Sequence, residues 1–174
     1  MVELQQHQAH WADDFRLESA RVVVALGAHV DAVEHIGSTA VPGLLAKPII
    51  DMAVRVAAAV DPFALGVPLA TLGYHRHSGG PQNHAVYVRV EGDRRTHILH
   101  AFTAPQWDDC NQRVFRDKLL NDPDARRRYQ ALKNSLAGVA DGRTYTALKS
   151  TLIQELLNEE RAARGLPPTT AWDK

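Results

Sequence analysis

The sequence predicts a mixed α/β fold (α+β): a mixed β-sheet covered by helices, followed by a helical C-terminal half. Three observations predict it. Apolar residues near the start recur at helical spacing. The middle holds short apolar and alternating runs separated by turn residues. From Trp107 onward the helical period returns and strand signals stop. Because strands cease to alternate with helices after the middle, a doubly wound parallel sheet is not expected.

Taken in order, Trp11, Phe15, Val22 and Leu26 share one helical face, and Gly27 is the expected helix stop. Residues 32–36 form a short apolar strand. Residues 37–47, rich in Gly, Ser, Thr and Pro, are a loop. Residues 48–56 are mostly apolar and bounded by turn signals, the pattern of a buried strand. Asp61 and Pro62 supply an N-cap and a first-turn proline for a short helix to Leu72. Residues 78–83 are a flexible loop, and His75, His77 and His84 beside it are expected to be exposed. Val86, Val88 and Val90 alternate with polar neighbours; Glu91-Gly92-Asp93 turns the chain, and residues 96–102 return as the partner strand. Asp122-Pro123 starts a later helix, Arg126-Arg127-Arg128 coat a solvated face, and Tyr145, Leu148, Leu152 and Leu156 mark the last helix. We expect one domain over residues 1–164, an α/β part to 103 and a helical part from 104, with a loose tail at 165–174.

The bulk numbers narrow the function. The chain has 174 residues, 45% of them hydrophobic, enough for an ordinary core. Lys plus Arg and Asp plus Glu both count 20, so no net charge drives binding to nucleic acid or to an anionic membrane. No apolar run is long enough to span a bilayer, and the start lacks the apolar stretch of a secretion signal. A lone cysteine, Cys110, fits a reducing, cytoplasmic setting; nothing near it signals reactivity.

One constellation carries chemistry. Gly37, Ser38 and Thr39 directly follow a strand and can approach an anion closely with free N–H groups. Thirteen residues after Ser38, Asp51 interrupts an apolar strand. A carboxylate there is costly unless it is paired, hydrogen-bonded or metal-bound. Alternation puts Asp51, Ala53 and Arg55 on one face of that strand. Lys47 stands at its start, held extended by Pro48. His35 reads equally as a satisfied core histidine or a site residue. In the later strand, Ile98 and His100 share a face and His97 takes the other. Tyr145 and Lys149, four apart, share a helical face and could support the site.

This layout resembles the nucleotidyltransferase superfamily, whose signature is Gly-Ser followed on the next strand by Asp-x-Asp/Glu. The match sharpens in His35-Ile36-Gly37-Ser38-Thr39-Ala40-Val41-Pro42-Gly43-Leu44 and Ala46-Lys47-Pro48-Ile49-Ile50-Asp51, which resemble the signature of the GrpB-like family. Arg95 to His100, Phe115 to Leu119 and Tyr145 to Lys149 resemble its later, shorter motifs. The resemblance covers roughly residues 5–160. It implies a nucleotidyltransferase-like fold, and members of the family also occur as an appended domain on some bacterial dephospho-coenzyme A kinases. By that resemblance Gly37, Ser38, Thr39 and Lys47 would contact phosphate, Asp51 would hold a divalent metal, magnesium or manganese with zinc as an alternative, and His97 and His100 would serve as acid–base groups or ligands. The ligand would be a nucleotide or another phosphorylated small molecule; a protein partner or homo-oligomer stays open.

One departure matters physically. The second acidic position is Ala53, which cannot bind a metal. Two-metal transfer needs several carboxylates around ions ~3.5–4 Å apart. Glu34, Glu91 and Asp93 are the other acids to consider. Three functions therefore stand: a nucleotide-binding protein of nucleotidyltransferase type, a non-catalytic module that keeps the pocket, and a transition-metal hydrolase using Asp51 with histidines.

Overall fold

A computed structural model describes residues 3–136 and 142–170, with side chains of the last helix from residue 147 onward. Helix α1 (His10–Leu26) buries Trp11, Glu18, Val22 and Leu26, the stripe its spacing dictates with one acid added. It stops where expected, at Gly27, whose φ of 53° lets its N–H return to the Val23 carbonyl.

Five strands follow: β1 (Val30–Ile36), β2 (Ile50–Val56), β3 (Tyr74–Arg76), β4 (Ala85–Glu91) and β5 (Arg94–Phe102). Their spatial order is β1-β2-β5-β4-β3. Only β2 and β5 run parallel; the β1–β2, β4–β5 and β3–β4 pairs are antiparallel, so the sheet is mixed, as the sequence predicts. The hairpin turns at Gly92, whose φ is 65°. The edge strand β3 was not anticipated: three residues are too few to show alternation. Ahead of it, Asp61 caps the expected segment by accepting from the Phe63 N–H, but this divides into a 3₁₀ turn at Pro62–Ala64 and a short helix α2 (Gly66–Ala70). The buried Tyr87 hydroxyl ties that segment to β4, donating to the Pro62 carbonyl and accepting from the Leu65 N–H.

The sheet separates two apolar layers. On one side Met52, Val54, Leu99, Ala101 and Tyr87 pack against Trp11, Val22 and Leu26 of α1. On the other, Ile36, Ala53 and Phe102 meet Trp107 and Cys110. That second side is roofed by α3 (Ala104–Trp107), α4 (Asn111–Asn121), α5 (Pro123–Leu136) and α6 (Gly142–Ala163). Asp122 starts α5 by accepting from the N–H groups of Asp124 and Ala125. The helical layer buries Val114, Leu119, Tyr129, Leu156 and Leu157, and it takes in Val41 and Leu44 from the loop after β1. Each of those two loop side chains is fully buried, worth roughly 1.5–3 kcal/mol. The loop is therefore anchored to the helices.

Two surface expectations are corrected. Arg127 is exposed, as expected, but Arg126 donates to the carbonyls of Leu119 and Leu120 at the end of α4, and Arg128 pairs with Glu155 and Glu159 of α6. His84 is buried rather than exposed, because it stacks on Phe102 with ring centres 4.4 Å apart. Past α6, Thr169 is held by Asn158 and Gln154.

Candidate functional site

The strand pairing places the Gly37 turn on Asp51. Ile36 is the register partner of Asp51 across β1 and β2, so the chain leaves β1 directly over that carboxylate. Gly37 has φ 72°, and a Cβ there would lie 2.4 Å from Asp51 Oδ2. Both the left-handed backbone and the close approach demand glycine. Asp51 itself is 6% exposed. Ser38 opens a 3₁₀ turn, Ser38–Ala40.

That turn is gripped from the helical layer. The Lys133 ammonium, 2% exposed, donates to Ser38 Oγ at 2.6 Å and to the Leu45 carbonyl at 2.5 Å. It also lies 4.7 Å from the centre of the Tyr129 ring. Gln130 of the same helix accepts from the Leu45 N–H. Spacing explains the contact: Ala125, Tyr129, Lys133 and Leu136 form the buried stripe of α5. Lys149, on α6, lies 5.7 Å from the centre of the same Tyr129 ring. The Tyr145 side chain lies outside the described residues.

A narrow cavity of about 20 Å³ separates the sheet from the helices; its lining includes Gly37, Ser38, Asp51, His100, Arg116 and Tyr129. His100 reaches it because β5 runs parallel to β2 with His100 beside Ala53, one alternation step from Asp51. His97 does not. It takes the other face of β5, half-buried near the Tyr74 ring, where burial first of all lowers its pKa.

The remaining expected residues divide. Thr39 is buried and its hydroxyl points inward, donating to the Ile49 carbonyl at 3.2 Å. That leaves the Thr39 oxygen to accept from His35 Nε2 at 2.9 Å. His35 stacks on Phe15 at 4.7 Å, and burial, helped by the charges of Arg116 and His7, pushes its pKa down to about 4. It is a neutral histidine locking the loop to α1. Lys47 is exposed and lines a different groove, with Pro48, Arg94 and Arg95. Arg55 lies four residues along β2 from Asp51, roughly 13 Å away, against Trp107 and 3.9 Å from Asp31.

The vacant second acid has a neighbour. Glu34 is the register partner of Ala53 and shares its face. Its carboxylate is taken by two arginines of α4: Arg113 binds it through Nε and Nη2 at 2.9 and 3.0 Å, and Arg116 through Nη1 at 2.7 Å. Burial pushes the Glu34 carboxyl up, but hydrogen bonds and charge from Arg113 and Arg116 outweigh it and hold it below the ordinary range. Arg116 also donates to the His35 carbonyl and to Asp117. Glu91 pairs with Arg89, and Asp93 lines the Lys47 groove. Among the described residues no three His, Cys, Asp or Glu side chains converge as a metal site. The donor set does not fit a two-metal centre. Cys110 is inert, since burial pushes its thiol up to about 11.

Lys133 and Arg113 escaped the sequence reading, Arg116 stood there only within the Phe115 to Leu119 motif, and His84 was expected to be exposed. Lys133 and Ser38 are 95 residues apart, and Arg116 and Glu34 are 82 apart. The one local signal was Lys133 on the apolar stripe of α5.

Comparison with known proteins agrees with this fold. The family described as GrpB protein matches residues 1–159. A UPF0157 protein of Pseudomonas aeruginosa is 34% identical over 172 residues, covering 95% of this chain and 70% of the relative. The crystal structure of conserved protein GrpB from Enterococcus faecalis superposes with a TM-score of 0.82 at 26% identity, over 94% of this chain and 99% of that one. A dephospho-CoA kinase of Mycolicibacterium paratuberculosis is 27% identical over 183 residues, spanning 87% of this chain but 43% of the kinase. No described helix is long and apolar enough to cross a membrane.

Proposed function

The chain belongs to the GrpB family, and from that premise we propose that it binds a nucleotide or another phosphorylated small molecule in the cavity between the Gly37-Ser38 turn, Asp51 and the helical layer. The observation that carries this reading is the buried ammonium of Lys133 on the Ser38 hydroxyl. Burying a cation costs several kcal/mol, and this one is held on Ser38, a residue that lines the cavity. The Gly37-Ser38 turn it holds is the one expected, by the superfamily resemblance, to contact phosphate. Arg116 adds a second cation at the cavity wall, so the role first expected of Lys47 passes to Lys133. The kinase likeness noted above supports a nucleotide-related ligand.

Two-metal nucleotidyl transfer is not part of the proposal. Ala53 offers no ligand and Glu34 is held by arginines. Asp51 and His100 together would offer one carboxylate and one nitrogen donor, and Asp51 would meet an ion carried by the ligand. A magnesium centre prefers more oxygens than that. The binding role stands without that chemistry.

Calorimetric titration with ATP, with and without manganese, tests the reading on wild type and Lys133→Met. Wild type should bind, and the variant should bind about 10–100-fold more weakly, the equivalent of a lost charge-assisted hydrogen bond. Equal affinities in a variant that keeps its circular dichroism spectrum, or no binding by wild type across nucleotides and inorganic phosphate, would sink it.

A further inference from the structure

A second pocket, of about 230 Å³, opens at the start of α4, and Gln112 borders both it and the Asp51 cavity. It has room for far more than the single water that ~10–15 Å³ admits. The chain enters α4 with donors to spare. The first N–H groups of a helix have no partner within it. Cys110, in the N-cap position, gives them no side-chain acceptor; its thiol donates to the Trp107 carbonyl instead. Asn111 and Gln112, the first two residues of α4, therefore bring uncapped N–H groups to a pocket that both of them line.

Arg161 of α6 reaches the same helix start and is 8% exposed. Its Nη1 donates to the Asp109 carbonyl at 3.0 Å and to Asn111 Oδ1 at 3.1 Å, and its Nε to the Pro167 carbonyl at 2.7 Å. Those bonds clamp α6 and the segment after it onto the approach to α4. They leave Nη2 outside the clamp, and every acceptor in it is neutral. Among the described residues no carboxylate lies within ion-pair distance of this guanidinium. Arg89, Arg113 and Arg116 differ, since each meets a carboxylate, Glu18 or Glu34. A guanidinium taken out of water calls for a counter-charge. Gln112 gives an independent sign. It is 6% exposed, and its side-chain amide makes no hydrogen bond to any described residue. A buried amide is costly to leave unpaired.

We propose that the start of α4 is an oxyanion site, in which a carboxylate or phosphoryl group accepts from the Asn111 and Gln112 N–H groups, from Arg161 Nη2 and from the Gln112 amide. A helix N-terminus favours negative charge, and a guanidinium beside it adds charge-assisted hydrogen bonds. One lining group opposes an anion. The exposed Asp109 carboxylate borders the same pocket. It limits the charge that the site takes, so a small oxyanion fits better than a polyphosphate. The site is separate from the Gly37-Ser38 turn and does not rest on the reading of the Asp51 cavity.

The experiment is ¹H–¹⁵N correlation of the labelled full-length protein during titration with sodium phosphate and, separately, sodium acetate, with sodium chloride as the ionic-strength control. Wild type should show saturable shifts at the Asn111 and Gln112 backbone amides and at the Arg161 guanidinium with at least one of the two oxyanions, beyond any that chloride produces. The tighter of the two assigns the class, phosphoryl or carboxylate. Arg161→Gln should bind about 10-fold more weakly at those amides, the equivalent of a lost hydrogen bond to a charged group. Asp109→Asn removes the opposing charge, and its side chain breaks no described hydrogen bond; it should bind about two- to five-fold more tightly, the scale of an exposed charge interaction. No saturable shift at Asn111 and Gln112 with either oxyanion overturns the proposal. So does an Arg161→Gln affinity equal to wild type, or an Asp109→Asn affinity no higher than wild type. Should Arg161→Gln fail to fold, the wild-type titration and Asp109→Asn still decide. The amides of Gly37 and Ser38 report the cavity in the same spectra, so failure here is distinct from failure of the cavity to bind ATP.

Discussion

The two faces of the central sheet both bury charged and titratable groups, yet they use them differently. On the α1 face, Glu18 is 3% exposed and closed on all sides: Tyr74 donates to it at 2.8 Å, Arg89 at 2.8 Å and Arg21 at 3.0 Å. Burial and the Glu18 charge raise the Tyr74 pKa, so its hydroxyl stays a donor. On the other face, Asp51 and His100 line a cavity, and Lys133 holds the Ser38 turn at its edge. A buried charge with every partner built into the fold holds the fold together. Buried polar groups that line a cavity are the arrangement on which the proposed binding role rests.

The largest effects should separate those faces. Replacing Glu18 with Leu leaves the Arg89 guanidinium with only the exposed Glu91 carboxylate, and breaking a buried pair costs about 3–5 kcal/mol. Chemical denaturation should show that loss, while ATP affinity of the folded fraction stays at the wild-type value. A variant that keeps its stability but loses ligand would reverse the assignment of the two faces.

Acid comes next. His35 on one face and His84 on the other both have pKa values pushed down to about 4 from 6.5, chiefly by burial. The unfolded chain takes up those protons near pH 6.5 and the folded chain does not, so their contribution is fully present above 6.5 and is lost as pH falls toward 4. Each shift corresponds to about 3 kcal/mol. The melting temperature should drop through that window, and His35→Gln should flatten the drop. A melting temperature constant from pH 7 to 4 would contradict both burials.

Gly37→Ala tests the closest approach in the site. The left-handed φ costs about 1–2 kcal/mol for an L-residue, and the new Cβ must displace the Asp51 carboxylate. We expect destabilisation of roughly 2–4 kcal/mol once overpacking is added, together with loss of ATP binding. Unchanged binding would mean that the turn and Asp51 do not share a ligand.

The same contrast explains what could be read from the chain alone. Features set by neighbours in sequence were legible: the α1 stripe and its Gly27 stop, the Asp61 cap, the hairpin, and the alternation that puts His97 and His100 on opposite faces. The Gly37–Asp51 contact was legible because one register pair joins the two strand segments. What arrives from the helical half was not. Lys133 looks like an ordinary lysine until α5 is packed over the loop, and Arg113 and Arg116 become a clamp only when α4 crosses β1. His84 was misjudged because a glycine-rich stretch precedes it, and no local pattern shows that Phe102 covers its ring.

The smallest predicted effect bears on the most consequential departure. Glu34 sits beside the position where the superfamily pattern has its second acid, and it can be understood as a silent metal ligand or as the counter-ion that keeps Arg113 and Arg116 in place. The two roles predict opposite signs for Glu34→Gln. As a counter-ion, its loss leaves Arg116 at the cavity wall with less of its charge cancelled, since among the described residues Asp117 is the other carboxylate paired with it. Phosphate or ATP should then bind a few-fold more tightly, about 0.5–1 kcal/mol, the scale of a partly exposed ion pair. As a metal ligand, its loss should weaken manganese-dependent binding. Calorimetry with ATP, in chelator and in manganese, reads both. Tighter binding in chelator with no manganese penalty fixes the cavity as a cationic anion site with a single carboxylate, and weaker manganese-dependent binding returns Glu34 to the metal.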